Sequence, residues 1–334
     1  MENTKERKFS SESALAFVMR NKAVLLLVVL CIAAAFLSDR FLTSRNLINV
    51  TRQICVSALL SMGLTCVLTS GSMDLSVGFL MSFVGVAMTQ ISLIDGMPVG
   101  VAILLGILLG AFCGFLNGFI SMFFNLNPFI VTLAMQNVFK GASYLLSGNT
   151  PVTGISESFR WIGQGYVGFV PVPVIITVIA AIFLYVLLNR TAFGRYLTAI
   201  GGNMEAARVS GINVKKIKTL VYMLMGIMAS VAAAVTTARV ASAQPAAGEG
   251  MEMEAICASV LGGTSLAGGN GRIAGAVVGC LIVGVINNIL NLTGIDSNWK
   301  IVVKGLLILF AILLDFYTTV FDAKRNRRAA AMQK

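Results

Sequence analysis

The chain has 334 residues, is 57% hydrophobic and only 12% charged, with a mean hydropathy of +0.87 and a net charge of +11. A soluble domain carries about twice that charged fraction, so an ordinary globular domain is excluded and an all-α polytopic membrane protein is predicted; no period-2 pattern argues for a transmembrane barrel. Histidine is absent and the six cysteines lie in apolar segments with no C-x-x-C pair, which disfavours a disulfide framework, a metal site or a resident cofactor.

A spanning helix needs roughly 20 apolar residues. Apolar runs place about ten spans near 22–39, 51–70, 75–94, 98–120, 127–146, 171–189, 216–239, 251–267, 272–293 and 301–320. The first follows Lys5, Arg7, Lys8, Arg20 and Lys22 and superficially looks like a signal peptide. Leu30 before Cys31 spoils a lipoprotein cleavage site and further spans follow, so an uncleaved anchor is expected. Most of the 25 basic residues fall in that first cluster, in a central segment 190–218, or in the tail from Lys324 to Lys334. Cytoplasmic flanks retain Lys and Arg, so both termini and the central segment are predicted inside, and a nucleic-acid role is disfavoured. The organisation expected is a cytoplasmic tail 1–21, one transmembrane domain 22–320, and a basic cytoplasmic tail 321–334. This topology leaves Arg40, Arg45 and Arg52 outside.

Between the second and third spans, Thr69-Ser-Gly-Ser-Met-Asp74-Leu-Ser-Val-Gly78 interrupts the apolar pattern with small polar residues. Asp74 is placed to cap the following helix. A bare carboxylate at the bilayer centre costs about 3 kcal/mol, so the break is expected inside protein or along a cavity. Gly106, Gly110, Gly114 and Gly118 recur on one helical face, where small residues admit a second helix. Asn117 lies beside them. Gly114-Phe-Leu-Asn117, followed by Asn127, is faintly repeated by Gly284-Val-Ile-Asn287 with Asn288, followed by Asn298. Such duplication is common in transporters, whose pathway lies between repeats. Asp74, Asn117, Asn127, Asn287 and Asn288 are therefore candidate pathway residues, with interhelical hydrogen bonding as the plainer role. The stretch 147–170 is expected to carry a short interfacial element.

The central segment contains a good helix cap, Asn203, with Glu205 in the first turn and Gly211 just past the end. Met204–Ser210 makes about two turns, too short to stand alone, and a soluble partner is a plausible support. Gly262–Arg272 is glycine-rich but lacks the Lys-Ser/Thr ending of a phosphate loop. An ATP-driven process here would need its ATPase on another polypeptide. An ion-coupled carrier predicts acids or histidines within the spans; the absence of histidine and acids mostly at span ends, Glu249, Glu252 and Glu254 among them, count against one.

Gly71-Ser-Met-Asp-Leu-Ser-Val-Gly78, Gly194–Asn203, Glu205–Lys218, Ser242-Ala-Gln-Pro245 and Leu261–Gly269 occur in this order. Together they resemble the ribose-type sugar permeases of ATP-binding-cassette (ABC) importers. The resemblance covers about residues 40 to 320. It implies a non-enzymatic permease subunit in the bacterial inner membrane, paired with a second copy or a sister permease. A periplasmic or surface-tethered sugar-binding protein would serve its outer face and an ABC ATPase its cytosolic face. It also implies that Gly202, Asn203, Glu205, Ala206, Ala207, Arg208 and Gly211 form the ATPase-coupling helix. Met73, Asn270 and Glu254 stand where Ile, Lys and Asp are frequent, which leaves the sugar open. A branched-chain amino acid permease of shared architecture and an ion-coupled carrier are the alternatives.

Overall fold

The computed structural model describes residues 22–296, 298–299, 301–303, 305–310 and 312–313. The predicted tails and residues 314–320 of the last predicted span lie outside them. The chain begins with α1 (Lys22–Leu37), α2 (Ser44–Thr69), α3 (Val77–Ser92), α4 (Val99–Phe123) and α5 (Pro128–Ser147). A short α6 (Glu157–Gln164) and a two-stranded hairpin, β1 (Tyr166–Val167) and β2 (Val170–Pro171), lead into α7 (Val172–Arg190). Then come α8 (Ala192–Gly202), α9 (Met204–Val209), α10 (Val214–Val240), α11 (Met251–Leu261) and α12 (Ile273–Leu292). Helices α2, α4, α7, α10 and α12 are long and apolar enough to cross a membrane, α1 and α3 are apolar but shorter, and α11 has 11 residues. The protein is thus a helical, multi-span membrane protein.

Local chemistry sets the boundaries. Thr43 accepts from the Asn46 N–H and starts α2 seven residues before the predicted span, so Arg45, expected ahead of the span, rides on its first turn. The predicted span 251–267 is corrected to a helix ending at Leu261, because Gly263, Gly268 and Gly269 take φ of 89°, 90° and 75°. Only glycine enters that region without steric cost, so the backbone turns where apolarity alone continues. The stretch 147–170, expected to carry a short element, holds α6, started by Ser156, whose side chain accepts from the Phe159 N–H; the hairpin after it had no signal in the periodicity.

Burial ranks the helices. The most apolar window of α2 is 72% buried and that of α10 61%, against 33% for α4 and 28% for α7. α2 and α10 therefore form the centre, and α4 and α7 turn most of their apolar surface outward, as lipid-facing helices do. Phe115, Phe119 and Phe123 stack along that outer side of α4, while its glycines face inward. A Cβ at Gly110, Gly114 or Gly118 would overlap Ser230 and Gly226, Tyr222, or Thr219 of α10. Three glycines of the predicted stripe thus form the α4–α10 interface, while the fourth, Gly106, abuts Met88 of α3.

The two halves pack reciprocally. Each runs long helix, irregular break, short helix, long helix: α2, α3 and α4 in one, α10, α11 and α12 in the other. α10 packs on α4 and α3 of the first half, and α2 packs on α12 and α11 of the second. Glycine contacts recur in the second half, where Gly279 lies on the Ala258 carbonyl and Gly284 on Ile54. The faint sequence duplication thus corresponds to a structural exchange of partners.

α2 and α10 also define two ends of the bundle. Arg52 near the start of α2 donates to the Gln164 carbonyl and lies 4.8 Å from the Tyr166 ring centroid. Gln164 donates to the Arg239 carbonyl near the end of α10 at 3.0 Å. The opposite end holds the end of α2, α8, α9 and the start of α10.

Candidate functional site

The breaks before α3 and α11 bring their N-terminal ends together inside the bundle. After Val240, residues 241–250 fold back inward, tied by the Val152–Ala243 bridge and by Ser143, whose hydroxyl donates to the Pro245 carbonyl at 3.1 Å. Gly248 then reaches α3: its N–H donates to Ser82 Oγ at 2.8 Å. A Cβ on either Gly78 or Gly248 would overlap the other's backbone, so glycine is needed on both sides. Broken helices whose N-termini meet inside a bundle are the usual place for a transporter's binding site.

Polar side chains collect around this junction. Asp74 is fully buried and its Oδ1 accepts from the Ser76 N–H at 2.9 Å and from the Ser76 hydroxyl at 2.7 Å. The Asn117 amide, also fully buried, donates to Ser76 Oγ at 2.8 Å. The helix cap position is Ser76 rather than Asp74, and Asp74 holds Ser76 from two residues outside. The Tyr222 hydroxyl donates to the Met73 carbonyl at 2.8 Å and pins the break to α10. Asp74 Oδ2, Asn117 Oδ1 and Ser72 Oγ have no protein hydrogen-bond partner. Buried polar atoms are normally paired; the free Asp74 and Asn117 oxygens can only accept, the Ser72 hydroxyl can accept or donate, and such a set suits a ligand bearing hydroxyls.

The second half supplies a matching set. Asn287 of α12 donates to Glu254 Oε1 on α11 at 3.2 Å. Glu252, 6% exposed, accepts from Gln136 at 3.2 Å, and its Oε2 is unpartnered beside Gly78. Asn117 and Asn287 thus play equivalent parts, each fixing a polar group near the start of a short helix. Glu252, Glu254 and Gln136 were not singled out as site residues. In the sequence the two acids read as span-end charges, and only the fold-back at 241–250 carries them inward.

Two other candidates have local duties. Asn127 is exposed and caps α5, accepting from the Phe129 N–H at 3.0 Å. Asn288 is buried and exchanges two hydrogen bonds with Asn46 of α2, at 3.0 and 2.9 Å. Removing one amide leaves the other without its partner at a cost of about 1–3 kcal/mol. Asn288→Leu is therefore expected to lower thermal stability in detergent, and adding Asn46→Leu should restore most of it.

A polar pocket of about 10 Å³ lies above the junction, lined by Ser82, Thr236, Thr237, Ser242, Gln244 and neighbours. That is about the room one water needs, far below a monosaccharide.

At the α9 end, Asn203 Oδ1 accepts from the Ala206 N–H at 2.9 Å and Gly211 takes φ of 85°. Both features match the sequence reading. Ala207 is buried, whereas Gly202, Asn203, Glu205, Ala206, Arg208 and Gly211 are exposed. Arg208 and Glu205 pair at 2.8 Å on the surface. Met204 and Val209 are 53% and 77% exposed. The short helix thus turns two apolar residues outward and is held by one buried alanine. All six cysteines are free, and the described residues contain no cluster of metal-ligating side chains.

Residues 46–312 match the family described as branched-chain amino acid transport system / permease component. The chain is 44% identical over 291 residues to the ribose import permease protein RbsC of Bacillus subtilis, covering 86% of this chain and 90% of that protein. It is 42% identical over 305 residues to RbsC of Escherichia coli K12, covering 90% and 94%. It is 36% identical over 292 residues to the D-allose transport system permease protein AlsC of Escherichia coli K12, covering 87% and 89%. No solved structure matches.

Proposed function

The chain belongs to the transport-system permease family matched over residues 46–312, and from that membership we propose that it is the membrane-spanning subunit of an ABC importer for a monosaccharide, ribose or a similar sugar. The observation that carries this is the 42–44% identity to ribose import permeases over nearly the whole of both chains. The 36% identity to an allose permease keeps the substrate class at sugars. Neither alternative, a branched-chain amino acid substrate or ion coupling, is favoured by these relatives. The subunit is not itself an enzyme.

The finer reading is as follows. About ten helices cross the bacterial inner membrane as one domain over 22–320, and the basic tails 1–21 and 321–334 lie in the cytoplasm with the α8–α9 end. α9, with Gly202, Asn203, Glu205, Ala206, Ala207, Arg208 and Gly211, docks in a groove of a cytosolic ABC ATPase. A periplasmic or surface-tethered binding protein delivers sugar to the opposite end, and a second copy or sister permease completes the pore. The sugar passes the junction of α3 and α11. Asp74 and Asn117 act from one half and Asn287 with Glu254 from the other, offering acceptors to sugar hydroxyls. Asn127 and Asn288 support the pathway from their cap and their pair with Asn46. The ATPase supplies the differential free energy that shifts the subunit between its outward- and inward-open states.

Reconstitution tests the whole reading. Vesicles holding this chain, its ATPase and the binding protein should take up sugar only with ATP, and a sugar panel on the binding protein should identify the substrate. Uptake by the chain alone would overturn it. The coupling surface has a sharper test. An exposed ion pair stabilises by about 1 kcal/mol or less, so Glu205→Ala should leave melting almost unchanged. Uptake per ATP should nevertheless fall at least severalfold, as it should for Gly211→Val, where a β-branched residue must take a left-handed φ.

A further inference from the structure

α9 follows directly on a point where the end of α8 abuts the backbone of both halves of the bundle. Its cap, Asn203, follows directly on Gly201 and Gly202 at the end of α8, which Leu197 and Ile200 anchor in the core. A Cβ on Gly201 would overlap the Thr69 carbonyl at the end of α2 and the Gly269 N–H beyond α11. A Cβ on Gly268 would lie 2.8 Å from Gly71 Cα and 2.9 Å from the Gly201 carbonyl oxygen. The Gly269 N–H donates to the Thr69 carbonyl at 2.9 Å. Gly71, Gly268 and Gly269 all have positive φ, at 68°, 90° and 75°. Three separate segments therefore meet main chain to main chain: the break after α2, the end of α8, and the loop between α11 and α12.

We propose that this glycine junction is the transmission of the importer, and that Gly201 and Gly268 are positioning residues through which movement of α9 reaches both halves at once. The inference rests on the reading of α9 as the ATPase-coupling helix. Its physical basis is stiffness. A contact between side chains absorbs a shift by changing rotamers, whereas abutting backbones have no such freedom. Displacing α8 and α9 must move Thr69–Gly71 and Gly268–Gly269 or break the bond between them. The first segment leads within five residues to Asp74, and the second leads into α12, which carries Asn287. One push thus addresses the polar groups of both halves.

A helical glycine away from the junction provides the control. Gly141 lies in α5, yet a Cβ there meets nothing within 4 Å. In proteoliposomes holding the full importer, Gly141→Ala should keep uptake per ATP within twofold of the parent. Gly201→Ala should still bind the ATPase and hydrolyse ATP, while stimulation by loaded binding protein and uptake per ATP fall about tenfold. An assembled Gly201→Ala importer with parental uptake per ATP would overturn the proposal. Should that variant not assemble, the unmodified importer decides. Amide hydrogen exchange in peptides covering 69–73 and 266–271 must then change between nucleotide-free and ATP-bound states, and unchanged exchange in both would equally overturn it. If Glu205→Ala and Gly211→Val fail to uncouple, the docking role of α9 fails first. If they uncouple and Gly201→Ala does not, only the transmission is lost.

Discussion

Replacing Gly114 with leucine is expected to leave almost no folded protein to purify. A Cβ at this position would overlap the Tyr222 carbonyl and sit 3.1 Å from Met223 Cα. The obstacle is the backbone of a central helix, so no rotamer change relieves it. α10 would have to move away from α4, and the Tyr222 hydroxyl bond to Met73 would be strained with it. Overpacking a well-filled interior costs about 1–3 kcal/mol and sometimes more, against a total stability of only about 5–15 kcal/mol. Displacing a helix also forfeits contacts along its length, so the upper range applies. Gly100→Leu is the control, because that glycine opens α4 with nothing within 4 Å of a Cβ. Monodispersity by size-exclusion and melting in detergent measure both variants. A Gly114→Leu protein melting with its parent would show that the two helices do not approach as described.

How far the sequence carries depends on the range of the interaction concerned. Hydropathy locates the helices well, because each apolar run reports its own burial. Asn203 and Gly211 are legible for a similar reason, since a cap bonds to residues two or three positions away. Gly110, Gly114 and Gly118 announce a close neighbour but not which one, as nothing local distinguishes α10 from another helix. The limits of hydropathy show at α11, where glycines with positive φ end a helix inside an apolar run. They show again at Asp74, read as a cap although Ser76 occupies the cap position and the carboxylate holds it. Glu252, Glu254 and Gln136 were beyond reach entirely. Their places follow from the fold-back at 241–250 and from partners more than 30 residues away. Of five candidate pathway residues, Asp74 and Asn117 meet at one short helix, Asn287 at the other, and Asn127 and Asn288 serve a cap and an amide pair.

The pathway role proposed for Asp74 predicts a separation of stability from transport. Asp74→Ala removes the acceptor of the Ser76 N–H and of its hydroxyl, both buried, at a cost of about 1–3 kcal/mol for each group left unsatisfied. That variant should melt lower and transport poorly, which either role explains. Asp74→Asn is the informative change. Its side-chain oxygen can still accept from Ser76, and its amide brings donors into a neighbourhood where Asn117 Oδ1 and Ser72 Oγ have none. Stability should match or exceed that of the parent. Transport should nevertheless fall about tenfold or more, because a free acceptor aimed at sugar hydroxyls has become a donor satisfied by protein. Measured side by side, melting and ATP-dependent uptake decide between the two roles. Parental uptake in Asp74→Asn would reduce the carboxylate to a support for the start of α3, and the pathway would then have to be sought at Glu252, Glu254 and Asn287. Loss of uptake with intact melting would place the sugar where the two broken helices meet, since no other part of the protein changes.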